Sequence, residues 1–98
     1  MMDMEMINNL ANRRADGEFE HPIKFDEYIA SFVEALGDNV EEVIELVENS
    51  TKEQQWVMYE AYEEIMEKFP NDKLNDLIIE KCDVVLDRTV DKRWYRKA

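Results

Sequence analysis

The sequence predicts a single all-α domain, and three observations carry that expectation. Only two glycines and two prolines interrupt 98 residues, so few positions break a helix. Apolar residues recur at i, i+3 and i+4 in successive segments, which is the spacing of one helix face. Capping residues stand ahead of those segments, and Gly or Pro stands after three of them, at Gly17, Gly37 and Pro70. With 45 % apolar residues, the chain has enough to close one core. Residues 1–98 are therefore expected to form one helical domain of about five helices, packed as antiparallel or angled hairpins.

The first helix, roughly 3–14, carries Met6, Ile7, Leu10 and Ala11 on one face and stops at Asp16-Gly17. A polar linker runs from Glu18 to Lys24, with His21-Pro22 barring helix before the proline. The second helix opens at Asp26 as N-cap, with Phe25 in the staple position. It buries Tyr28, Ile29, Phe32, Val33 and Leu36 and ends at Gly37. Asp38 and Glu41 have capping-box spacing and open a third helix, whose stripe is Val40, Val43, Ile44 and Val47. Ser50 and Glu53 make a second box, starting a long fourth helix that runs to about Phe69. Met58, Tyr62, Ile65, Met66 and Phe69 face inward there. Pro70-Asn71-Asp72 breaks the chain, with Asp72 as the expected cap. A fifth helix buries Leu74, Leu77, Ile78, Cys82, Val85 and Leu86. It either continues through Val90 and Trp94 or stops near Asp87, and Val84-Val85 has the composition of a short strand. The short connections make neighbouring helices hairpins.

The net charge of −12 is concentrated in one stretch. Residues 26–67 hold thirteen acids and one base, Lys52, whereas residues 68–98 carry more bases than acids. Such a field repels nucleic acid and anionic membranes and favours cationic partners. No apolar run is long enough for a membrane span, and acids at the N-terminus do not match a secretory signal. One cysteine cannot staple the chain. These features read as a cytoplasmic protein.

No catalytic centre is legible. There is no Gly-rich phosphate loop, and neither a Glu-x-x-His pair nor an EF-hand loop is present. Cys82 and His21 are each solitary, so a thiol–imidazole pair would have to span sixty residues. Cys82 reads as a core residue, and His21 beside Glu18 and Glu20 reads as a solvated linker residue, not a zinc ligand. No cofactor or metal is expected, and the chain is not expected to be an enzyme.

A binding surface is the better expectation. On a helical wheel centred on Tyr62, Glu60, Glu63, Glu64 and Glu67 lie on the outer half. Trp56 shares the side of Glu60, Glu63 and Glu67, with Tyr59 at the boundary. Glu41, Glu45 and Glu48 form a similar strip on the third helix. A face kept merely soluble mixes Lys with Glu, because like charges at i,i+4 subtract a few tenths of a kcal/mol. Here almost no Lys appears. Trp and Tyr among carboxylates match how interfaces concentrate energy. The expected partner-binding set is Trp56, Tyr59, Glu60, Glu63 and Glu67, with help from Glu41, Glu45 and Glu48, directed at a basic protein. The C-terminal Lys92-Arg93-Trp94-Tyr95-Arg96-Lys97 has a composition compatible with nucleic acid contact, but basic residues late in a last helix also meet its dipole. No direct nucleic-acid binding is expected, and the sequence sets no oligomeric state.

Residues 26–69, particularly Leu36-Gly37-Asp38-Asn39-Val40-Glu41-Glu42 and Trp56 to Glu67, resemble bacterial immunity proteins of the colicin or contact-dependent inhibition type. The likeness is one of character: a small, acidic, helical chain with capped hairpins and an aromatic-acidic surface. The Asp-x-Tyr-Tyr signature of colicin DNase immunity proteins is absent, so no family binding residue is carried over. The resemblance implies one-to-one neutralisation of a basic toxin, often a nuclease, by plugging its active site or covering an exosite. Two alternatives stay open: a phage nucleic-acid mimic of the anti-restriction or anti-CRISPR type, and a general helical interaction module.

Overall fold

Asp3, His21, Asn39, Thr51 and Asn71 each place a side-chain acceptor ahead of a helix, and these five caps divide the chain. The computed structural model describes the backbone of residues 1–86 and the side chains of residues 1–82. It contains α1 (Met4–Ala15), α2 (Pro22–Ala35), α3 (Val40–Glu48), α4 (Lys52–Glu60), α5 (Tyr62–Lys68) and α6 (Asp72–Leu86). The all-α expectation holds, with six helices among the described residues in place of the five expected.

The differences lie mostly in the caps. The second helix starts four residues earlier than Asp26. Pro22 occupies its first turn, where a missing N–H costs nothing and a fixed φ suits the helix. His21 is extended and its Nδ1 accepts from the Ile23 N–H at 3.3 Å. Proline restricted only the residue before it, which is what an N-cap requires. The third helix is capped by Asn39, not Asp38; Asn39 Oδ1 accepts from the N–H groups of Glu41 and Glu42 at 2.9 and 3.3 Å.

Two overlapping boxes, Ser50…Glu53 and Thr51…Gln54, compete for the start of α4. The second wins: Thr51 Oγ1 and Gln54 Oε1 reciprocally accept backbone N–H bonds at 3.2 and 3.0 Å. That choice buries Gln54, whose amide donates to Asn8 Oδ1 at 2.7 Å. Ser50 instead closes α3 by donating to the Val47 carbonyl at 2.7 Å. At α6, Asn71 is the cap and Asp72 is the first helical residue, beside the positive end of the dipole.

The expected single helix from Ser50 to Phe69 is broken at Ala61, whose ψ of +11° leaves the helical basin. Ala61 is fully buried, and no Pro or Gly causes the bend; α4 packs on α1 and α6 while α5 packs on α2. The core comprises Ile7, Leu10 and Ala11 of α1 with Tyr28, Ile29, Phe32 and Leu36. It is completed by Val43, Val47, Val57, Met58, Tyr62, Ile65, Phe69, Leu74, Ile78 and Cys82. Met6 is exposed, not inward-facing. Val33, Val40, Ile44, Met66 and Leu77 are half-buried against the core, while Leu46 and Ile79 join it. The backbone at 84–85 is helical, so no strand forms there. The expected inward packing of Val85 and Leu86, continuation through Val90 and Trp94, and the basic stretch 92–97 lie outside the described side chains and residues.

Gly37 fixes the entry of the N-terminal segment. Its φ is +78°, and a Cβ there would stand 3.0 Å from the Met1 carbonyl carbon and 3.1 Å from the Met2 nitrogen. The Asp3 N–H donates to the Ala35 carbonyl at 2.8 Å next to it. Gly37→Ala is expected to cost about 1–2 kcal/mol from left-handed strain, lowering Tm by roughly 5–15 °C in a domain of this size; thermal denaturation measures it.

Candidate functional site

The site expected on the outer face of the fourth helix divides into parts with different neighbours. Trp56 and Glu60, one turn apart, both lie toward α1, because α4 packs along α1. Glu60 was expected on the outer, solvated half of the helix, but it is an internal tie. Arg14 donates two parallel bonds to it, from Nε to Oε1 at 2.9 Å and from an η nitrogen to Oε2 at 2.8 Å. The Tyr28 hydroxyl also donates to Oε1 at 2.9 Å. The Arg14 and Glu60 side chains are only 17 % and 13 % exposed. A bidentate, charge-assisted pair of this kind is well matched in geometry.

The surroundings stiffen this tie. Phe19 stacks on Tyr28 with ring centroids 4.6 Å apart, and Phe25 meets Tyr28 edge-on at 5.6 Å. Phe19 holds a φ of +68°, an unfavourable conformation for a bulky residue. The stack, together with the Arg13 guanidinium 4.8 Å over its ring, offsets that strain. Arg14 also donates to the Glu18 carbonyl at 2.8 Å. Burial, then the charge of Glu60 and its hydrogen bond, raise the Tyr28 pKa well above the ordinary tyrosine range. The bond to Glu60 raises that of Arg14, against an opposing effect of burial. The Tyr28 hydroxyl therefore stays neutral and the Arg14 guanidinium charged through ordinary pH.

Trp56 is 47 % exposed and forms one wall of an open groove of about 560 Å³. Ala11, Ala15 and Gly17 line it where α1 ends, and their small side chains leave the space beside the indole. Glu20, Glu53 and Lys52 also line it. Arg14 borders the groove too, but its guanidinium is committed to Glu60. The arrangement offers an aromatic face, an apolar lining and two carboxylates against one ammonium. A surface of this chemistry has room for a small side chain, and a cationic group placed over the indole would be worth about 0.5–2 kcal/mol. No member of the family models, curated proteins or solved structures with which the chain was compared matches it.

The remaining expected residues are distributed over other elements. Tyr59 is half-buried against the core. Glu63 and Glu67 are exposed on α5, beyond the bend at Ala61, so a straight wheel does not carry them onto the Trp56 stripe. Glu41, Glu45 and Glu48 are exposed on α3, which packs on α6. None of the three lines the Trp56 groove among the described residues; Glu45 instead borders a separate hollow beside the N-terminal segment. Within the described residues, no salt bridge engages Glu41, Glu42, Glu45, Glu48, Glu63, Glu64 or Glu67.

Sequence reasoning missed Arg14, Tyr28, Gly17, Glu20 and Glu53. The basic pair Arg13-Arg14 ahead of the acidic stretch 26–67 was the available signal that one carboxylate is claimed internally. Which carboxylate it claims depends on how α1 crosses α4. Elsewhere, Cys82 is buried in the core and His21 caps α2 at the surface. Among the described residues no cluster of three or more His, Cys, Asp or Glu is placed to hold a metal, and no helix is long and apolar enough to cross a membrane.

Proposed function

We propose that this chain is a non-catalytic binding protein that neutralises a basic protein partner in the manner of an immunity protein. The observation that carries this reading is the half-exposed indole of Trp56 beside an open groove, in a chain of net charge −12. A partly exposed Trp in a well-shaped depression is the type of residue on which binding energy concentrates. The unpaired carboxylates around the molecule steer a cationic partner toward it and raise the association rate. The contact set is Trp56 with Glu53 and Glu20, and Glu63 and Glu67 contribute to the field. Glu60 supports the surface by fixing α4 against α1.

Nucleic-acid mimicry needs carboxylates in an extended row at phosphate-like spacing. Here the acids of residues 41–67 are divided among α3, α4 and α5 and broken by the bend at Ala61, which does not favour such a row; the half-exposed Trp56 beside its groove favours an aromatic-centred contact.

The test is affinity capture from an extract of the native host at low and high salt. Wild type is compared with a variant carrying Glu53, Glu63 and Glu67 replaced by Lys; Glu60 is retained because reversing it would break the Arg14 tie. The expected result is a basic protein held one-to-one at low salt, released at high salt, inhibited while bound, and lost with the variant. Recovery of no basic protein, or equal recovery by the variant, overturns the reading.

A further inference from the structure

We propose that the hollow between the N-terminal segment and α3 is a second docking surface, and that its occupant is a basic amphipathic helix of a partner protein. It is independent of the Trp56 groove, with which it shares no described lining residue.

The hollow has a volume of about 420 Å³, and its lining includes Met1, Met2, Met4 and Leu46 with Glu42 and Glu45. The α-ammonium of Met1 stands there with the two carboxylates, and no Lys or Arg side chain lines it among the described residues. The sequence explains why: residues 1–12 and 36–51 together contain seven acids and no lysine or arginine. Lys68 reaches only the edge of this region, 3.8 Å from Asp38. Glu42 and Glu45 are exposed and make no salt bridge. In the Trp56 groove, by contrast, Lys52 stands among the acids.

The apolar part of the surface combines a fixed frame with adaptable side chains. The backbone of Met1 and Met2 lies against Gly37, where a Cβ would stand 3.0 to 3.3 Å from it and force a small shift, and the Asp3 N–H is bonded to the Ala35 carbonyl. Met2 packs half-buried on the core, while Met4 is 42 % exposed. Methionine is unbranched and polarizable, so it moulds to the shape of an incoming apolar side chain. A methionine floor with glutamates beside it matches a helix bearing apolar residues at i, i+3, i+4 and i+7 with Lys or Arg flanking them. Charge selects among the occupants. A nucleic acid or an anionic lipid surface is repelled by the same carboxylates that attract a cationic helix.

The test uses the full chain with ¹³C-labelled methionine methyl groups. It is titrated with a synthetic Leu/Lys amphipathic peptide of about four helical turns, and separately with the Leu/Glu peptide of the same pattern. The expected result is a saturable shift of the Met2 and Met4 methyl signals with the Lys peptide alone. Met58, buried in α4, and Met66 on α5 stay in place. Glu42→Lys with Glu45→Lys is expected to weaken that binding roughly tenfold or more, with the unchanged Met58 signal reporting an intact fold. Trp56→Ala is expected to leave it unaltered, so that failure here and failure of the Trp56 reading are separable. Absence of a shift, equal shifts with the Glu peptide, shifts centred on Met66, or undiminished binding by the double variant overturns the proposal.

Discussion

Glu60→Ala is expected to destabilise the fold by about 3 kcal/mol, the largest effect of any surface-helix glutamate in the chain. The substitution leaves the Arg14 guanidinium and the Tyr28 hydroxyl, both largely buried, without their shared acceptor. Stranding a desolvated charge costs about 3–5 kcal/mol when burial is complete, and the residual exposure of this pair places the expected loss at the lower end. In a domain of this size the loss corresponds to a Tm lower by roughly 10–20 °C. Replacing Arg14 and Glu60 together by Met is expected to cost less than Glu60→Ala alone, because no charge is then left unpaired. A loss of about 0.5 kcal/mol or less, the usual figure for an exposed site, would contradict the tie.

The same cluster sets a pH dependence. The neutral Tyr28 hydroxyl is favoured in the folded state, so its contribution is complete below about pH 10, the pKa of an unfolded tyrosine. It is lost as pH rises toward the higher folded value.

Elements with redundant local signals were legible in the sequence. The apolar spacing of residues 28–36 and the Asp16-Gly17 stop located α1 and α2 to within a few residues, because periodicity and punctuation agreed. Cap identity was less legible: at Asp38-Asn39, Ser50-Thr51 and Asn71-Asp72, two competent capping residues stand side by side. The choice depends on tertiary contacts such as that of Gln54 with Asn8. The bend at Ala61 had no local signal, since alanine is the best helix former. It accompanies a change of main partner, from α1 and α6 for α4 to α2 for α5. Trp56 was correctly expected to face solvent. Its neighbours were not foreseen, because a helical wheel knows only its own helix. Glu60 shares the tryptophan's side, as expected, but that side lies against α1 and its arginine.

Trp56→Ala is expected to weaken binding of the basic partner by about 2–4 kcal/mol, or roughly 30- to 1,000-fold in Kd. An aromatic anchor loses its whole contact area and uncovers the apolar lining of Ala11 and Ala15. The fold should be almost unaffected, because nearly half of the indole is already in water. Glu53→Lys is expected to act differently, lowering the association rate and its salt dependence more than it changes dissociation. Stopped-flow and equilibrium titrations of the captured partner distinguish the two effects. If Trp56→Ala bound the partner with unchanged Kd, the groove beside α1 would not be the point of attachment.

The most direct measurement is the indole N–H signal of Trp56 in a two-dimensional ¹H–¹⁵N spectrum, followed as the isolated partner is added to saturation. The expected result is a large displacement of that signal, complete at one equivalent. A Trp56 signal that stays at its free position while the partner is stoichiometrically bound would contradict the assignment of this indole as the binding centre.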